Sequence, residues 1–127
     1  MSDQPSLTEM IDAIIKTFIV AHADDTDAHL AQALVYNAGR LAWRLREQGV
    51  DVSQKTDRAD VVTDADFAAE RFVAGVLEAL RGEDGIVGEE GANRESKSGR
   101  TWVIDPVDGT FNLSLIHISE PTRPLYI

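Results

Sequence analysis

The reading of this chain turns on Thr101-Trp102-Val103-Ile104-Asp105-Pro106-Val107-Asp108-Gly109-Thr110. The run from Thr101 to Ile104 is β-branched and aromatic, the composition of a buried strand, and it leads directly into a carboxylate. Pro106 has no amide hydrogen, so strand pairing is expected to stop there and the chain to turn just after Asp105. A turn would let Asp105 and Asp108, three residues apart, aim at one point. Gly109 removes the side chain that would keep a ligand from the backbone. Thr110 is then placed to start a helix, whose free amides and positive end favour a phosphate. One short segment thus offers two hard oxygen ligands beside an anion cradle. Magnesium takes oxygen ligands in near-octahedral array and commonly shares them with a substrate phosphate.

Working outward, Ile86-Val87 is a second short strand running into Gly88-Glu89-Glu90, and Gly91 to Gly99 is a polar connection between the two strands. Before it, Phe72, Val73, Val76, Leu77 and Leu80 lie on one face of a helix that Gly82 ends. Asp60-Val61-Val62-Thr63-Asp64-Ala65-Asp66 stands at that helix's entrance, so three acidic clusters fall at the ends of predicted elements. Asp51 to Asp60 reads as a loop or hairpin. Further upstream, Leu30, Ala33, Leu34, Ala38, Leu41, Ala42 and Leu45 make one apolar stripe, closed by Gly49. Ser6-Leu7-Thr8-Glu9 is a capping box opening a first helix through about Ala21, with Met10, Ile11, Ile14, Ile15 and Phe18 at helical spacing. Helices first, then strands and helix mixed, predict an α+β or layered α/β fold. Carboxylates at strand ends stand where such sheets usually place their chemistry.

The totals narrow the choice. With 12 Lys plus Arg against 22 Asp plus Glu, the formal net charge is −10, which disfavours nucleic acid or an anionic membrane as partner. The absence of cysteine excludes disulfides, thiolate metal sites and a cysteine nucleophile. No apolar run approaches the roughly 20 residues of a membrane span, and the start lacks the pattern of a signal peptide. A cytoplasmic protein is expected. Each acidic cluster alone also has an ordinary reading: Asp64 or Asp66 as a helix cap, Glu89-Glu90 as a solvated loop, Asp105-Pro106 as a turn. His22 and His29 flank a helix start, and Trp43 and Trp102 read as core.

Taken in order, these motifs resemble the first half of the inositol monophosphatase family, within the lithium-sensitive, magnesium-dependent sugar phosphatases. The resemblance rests on Lys55, Asp60-Val61-Val62-Thr63, Asp66, Gly88-Glu89-Glu90 and Trp102 to Asn112, and runs from about Asp27 to Asn112. It implies the N-terminal part of an α-β-α-β-α fold, incomplete here, and a homodimeric enzyme acting on a small phosphate ester. Metal would be held by Glu89, Asp105, Asp108 and the Val107 carbonyl. Glu89 and Thr110 would hold the attacking water, with Asp66 orienting the Thr110 hydroxyl, and the Gly109 and Thr110 amides would hold the phosphate. The substrate is left open among inositol phosphate, histidinol phosphate and related esters.

The departure from the family is downstream. A further metal-binding aspartate and the sugar contacts of the family lie beyond this chain. Leu113 to Arg123 resembles the in-frame translation of a transposon-end adapter used to prepare sequencing libraries. Residues 1–112 are therefore expected to be the N-terminal part of the family domain and 113–127 a non-native tail, the alternative being a divergent terminal strand. Three rivals remain. An aspartyl-phosphate phosphatase needs D-x-D-G-T, one residue shorter than the spacing here. A calcium loop lacks its glycine and closing glutamate. A fragment without activity, acting by interaction, is the third.

Overall fold

Ser6 caps the first helix, α1 (Leu7–His22): its Oγ accepts from the Glu9 amide at 3.1 Å and its hydroxyl reaches the Glu9 carboxylate at 3.3 Å. The structure, a computed structural model, describes residues 6–52, 58–107 and 110–117, and within these the side chains of 6–48, 65–105 and 111–117. Two longer helices follow, α2 (Asp27–Val52) and α3 (Arg58–Leu80), then strands β1 (Gly85–Gly88), β2 (Asn93–Arg94), β3 (Arg100–Val107) and β4 (Thr110–His117). The fold is α+β. Among the described residues no helix is long and apolar enough to cross a membrane.

The strands form one sheet in the order β2-β1-β3-β4, with β1 and β3 parallel and the outer pairs antiparallel. Strand alternation sends Ile86, Trp102 and Ile104 into the core and leaves Val87 on the opposite, exposed face. The core they enter is built by Leu30, Leu34 and Ala38 of α2 and by Ala69, Phe72, Val76 and Leu77 of α3. Each large side chain so buried contributes roughly 1.5–3 kcal/mol of transfer free energy. Helix α1 closes on α3 through Ile11 and Phe18, the latter edge-on to Phe72 at 5.3 Å. Gly75 permits that approach, since a Cβ there would meet the Ile15 Cδ1 at 2.6 Å.

Four boundaries differ from the sequence reading. Helix α2 runs through Gly49 to Val52; an interior glycine costs only about 1 kcal/mol, less than tertiary packing can supply. Helix α3 starts at Arg58 rather than after Asp66, so the β-branched run at Val61 is helical and Asp66 lies two turns inside. Pro106 is paired within β3, opposite Phe111 of β4. Pairing of β1 with β3 ends at Gly88 and Ile104, so on that side of Pro106 no strand needs its missing amide hydrogen. Thr110 opens a strand, not a helix. Asp-Gly between alternating runs is also a strong hairpin signal, and Phe111, Leu113 and Leu115 alternate with exposed Asn112 and Ser114. Trp102 is core as expected, but Trp43 is 58% exposed on α2.

Candidate metal and phosphate site

Parallel register fixes where the carboxylates go. Gly85 to Gly88 of β1 pair in step with Thr101 to Ile104 of β3. The next residues, Glu89 and Asp105, therefore leave the same end of the sheet from neighbouring strands, and both are exposed. That is the carboxyl end of the parallel pair, where open sheets place their ligands. Neither residue enters an ion pair among the described residues.

Helix α3 brings two more carboxylates to the same end. Asp66 and Glu70, one turn apart, project toward the segment after β1. Glu70 is 2% exposed, and its two oxygens accept from the Glu90 and Ala92 amides, each at 3.0 Å. Asp66 meets Arg46 of α2 at 3.4 Å, a long and weak pair. Glu90 feels this crowding: burial first, then the charges of Glu70, Asp66 and Glu89, hold its carboxyl above the ordinary 4.5. A divalent cation would relieve that repulsion, and exposed carboxylates without cationic partners are the donor chemistry it takes.

Asp66, Glu89 and Asp105 are thus found at one end of the fold. Asp108 and Gly109 lie outside the described residues, as do Lys55 and the side chains of Asp60, Asp64, Val107 and Thr110. Among the described residues no three acidic or histidine side chains converge on one ion position. A cleft of about 400 Å³ is lined by Asp12, Phe67, Glu70, Arg71, Glu78 and Glu90 among others, without Glu89 or Asp105, so it is not where those two carboxylates meet.

Glu70 was missed by sequence reasoning. Its signal was a lone glutamate in register with Val73 and Leu77 on the apolar stripe of α3, a position that demands a buried partner. Asp84 was missed as well. It is 5% exposed just before β1, and accepts from Ser98 Oγ at 2.6 Å, Trp102 Nε1 at 2.9 Å and Arg100 Nη2 at 3.0 Å.

A helical layer over a mixed sheet, with Glu89 and Asp105 at the carboxyl end of its parallel strands, defines an α+β protein. The chain belongs to the inositol monophosphatase family, whose profile matches residues 23–113. It is 41% identical over 88 residues to a histidinol-phosphatase of Mycobacterium tuberculosis, covering 68% of this chain and 33% of that protein. It is 38% identical over 92 residues to a histidinol-phosphatase of Chlorobaculum parvum, covering 72% and 34%. It is 36% identical over 88 residues to a glucose-1-phosphate thymidylyltransferase of Streptomyces griseus, covering 68% and 34%. The chain spans about a third of the length of these relatives.

Proposed function

We propose that the protein carrying this segment is a magnesium-dependent hydrolase of a small phosphate monoester. The observation that carries the proposal is the parallel register that sends Glu89 and Asp105 out side by side, both exposed and, among the described residues, without an ion pair. Glu89 and Asp105 would hold the metal, with Asp108 and the Val107 carbonyl joining them as the family resemblance implies. Bound there, magnesium would lower the pKa of a water and offset charge on the leaving oxygen. Glu89 and Thr110 would hold that water and take its proton, and Asp66 would orient the Thr110 hydroxyl. The Gly109 and Thr110 amides would bind the phosphate. Water attacks in line, the ester oxygen leaves with a proton, and no phosphoenzyme forms.

Inositol 1-phosphate is the substrate first proposed, in a cytoplasmic homodimer. Histidinol phosphate is the second reading, favoured by the two histidinol-phosphatases at 41% and 38% identity. The same segment recurs in relatives of different names, which fits specificity lying outside it. The net charge of −10 supports a small-molecule partner over nucleic acid or membrane. We also take 113–127 as a non-native tail, in keeping with a family match that ends at residue 113.

The test expresses two proteins, this chain and one in which the genomic reading frame continues past Asn112. Inorganic phosphate release is measured from both esters with and without magnesium. The longer protein is expected to turn over only with magnesium, and the 127-residue chain not at all. Magnesium-independent turnover by the longer form would sink the metal reading. Robust turnover by this chain would mean that its own carboxylates suffice.

A further inference from the structure

We propose that Glu70 is the positioning residue of the Glu89–Glu90 turn, a carboxylate that fixes the backbone on both sides of Glu89 and so aims its side chain. The proposal rests on the reading of Glu89 as a metal ligand. Glu70 is 2% exposed and forms no ion pair among the described residues. Its oxygens divide their work: Oε1 accepts from the Glu90 amide and Oε2 from the Ala92 amide, both at 3.0 Å. Ahead of Glu89, Gly88 lies directly against the same carboxylate, where a Cβ would come within 2.5 Å of the Glu70 Cδ. Gly91, between the two bonded amides, has φ +100°, a conformation that favours glycine. Glu89 is therefore flanked by a residue packed on Glu70 and a residue bonded to it, while its own side chain stays exposed.

Packing alone does not call for this arrangement. A buried carboxylate without a cation is costly, and a glutamine of the same shape would be cheaper to desolvate. Glutamine, however, would turn an NH₂ group toward one of the two amides. Only a carboxylate accepts from both, since each of its oxygens lacks a hydrogen. The expense is explained if the turn must be rigid, because groups that orient a metal ligand set its affinity and not just its presence.

The test uses this chain, ¹⁵N-labelled, with Mn²⁺ as the probe. In the unsubstituted chain Mn²⁺ should broaden the Glu89 and Asp105 amide signals first, and the Glu90 and Ala92 amides should exchange slowly. In Glu70→Gln those two amides should lose protection, and the Mn²⁺ concentration that half-broadens Glu89 should rise about tenfold. Ile86 and Trp102 amide protection reports that the sheet is intact. Asp84→Asn, equally buried at the far end, serves as the control for general loosening and should leave the Mn²⁺ midpoint unchanged. Should Glu70→Gln not fold, Glu70→Asp keeps the charge but cannot span both amides, and the same readouts apply. Failure of Mn²⁺ to broaden Glu89 and Asp105 in the unsubstituted chain overturns the metal reading, and the positioning role with it. An unshifted midpoint with both amides still protected, against normal binding in the unsubstituted chain, overturns the positioning role alone.

Discussion

The two ends of the parallel strand pair treat their carboxylates in opposite ways. Where the strands begin, Asp27 and Asp84 are matched to cations. Arg81 and Arg100 grip Asp27 at 2.9 and 3.0 Å, and Arg100 also reaches Asp84 at 3.0 Å. Asp27 is held below its ordinary 3.8, chiefly by the Arg100 hydrogen bond. Burial pushes Asp84 up, but its bonds from Ser98 and Trp102 and the charge of Arg100 outweigh that, and the net shift is also downward. Where the strands end, Glu70, Glu89, Glu90 and Asp105 have no cation among the described residues, and Glu90 is held up rather than down. Among the described residues the first end is a clamp that neutralises its carboxylates, while the second carries only the long Arg46–Asp66 pair and is a candidate site. Structural ion pairs lower carboxylate pKa values, whereas crowded acids waiting for a cation raise them.

The largest expected effect breaks the comparison at its functional end. In the longer protein Asp105→Asn should lower turnover by roughly three orders of magnitude, the scale of losing several kcal/mol of charge stabilisation. Its melting temperature should hold or rise, since one acid fewer repels its neighbours. Phosphate release and thermal melts on the same preparation check both halves. Unimpaired turnover would leave the acidic end without its assigned task.

Next comes the mirror-image change at the other end. Asp84→Asn should cost about 2 kcal/mol of stability, because it removes the charge from the hydrogen bond to Arg100, which keeps Asp27. The amide oxygen can still accept from Trp102, and the NH₂ can face the Ser98 hydroxyl. Turnover per folded molecule in the longer protein should not change. Chemical denaturation followed by Trp fluorescence reads the first, and active-site-normalised rates the second. A rate loss larger than the unfolded fraction would mean that the clamp also shapes the site.

Much of this division was legible in the sequence, and the reasons it was not entirely so are local. Ile86-Val87 and Thr101–Ile104 announced themselves as strands by β-rich runs that end in carboxylates, and the structure pairs them in parallel. That Glu89 and Asp105 share an end comes from the parallel direction of the pair, which the two runs do not themselves fix. The partners of Asp84 could not be read, since Ser98, Arg100 and Trp102 meet it only through tertiary packing. Glu70 was hidden because a glutamate on a helix is usually solvated, and only the stripe of Val73 and Leu77 marks it as inward. The start of α3 was misplaced because polar residues from Asp51 to Asp60 suggested a loop, although the first two residues of that stretch end α2 and its last three, from Arg58, open α3. At Thr110 a phosphate-binding helix start and a hairpin strand share the same Asp-Gly signal, and in this chain the strand is set by the alternation from Phe111 to Leu115, most of which lies in the segment taken as a non-native tail.

Acid titration sharpens the contrast with a smaller effect. Asp27 and Asp84 are held below 3.8, so their contribution is present above that value and is lost as pH falls through the lower folded values. Glu90 is held above 4.5, so its ionisation opposes folding at neutral pH, and protonation relieves that as pH falls toward 4.5. Stability should therefore rise slightly on mild acidification, and then fall below pH 3.8. Urea midpoints across the range give the curve. Glu90→Gln should erase the rise and leave the fall, and a monotonic curve in the unsubstituted chain would contradict the opposite signs assigned to the two ends.

The smallest effect concerns Arg46, which pairs with Asp66 at 3.4 Å with both side chains part-exposed. An exposed pair of that length is worth under about 1 kcal/mol, so Arg46→Gln should barely move the melting temperature. Its electrostatic consequence is the more useful one. Asp66 already helps to hold the Glu90 carboxyl up, and Arg46 offsets part of that charge. Without the guanidinium, the Glu90 pKa should climb further, as read from the pH dependence of its side-chain ¹³C shift. Mn²⁺ attraction to the same end should strengthen, since one repelling cation has gone. A Glu90 titration that does not move would mean that Asp66 and Glu90 are too well screened by solvent to act together, and the acidic end would then be a set of neighbours rather than one field.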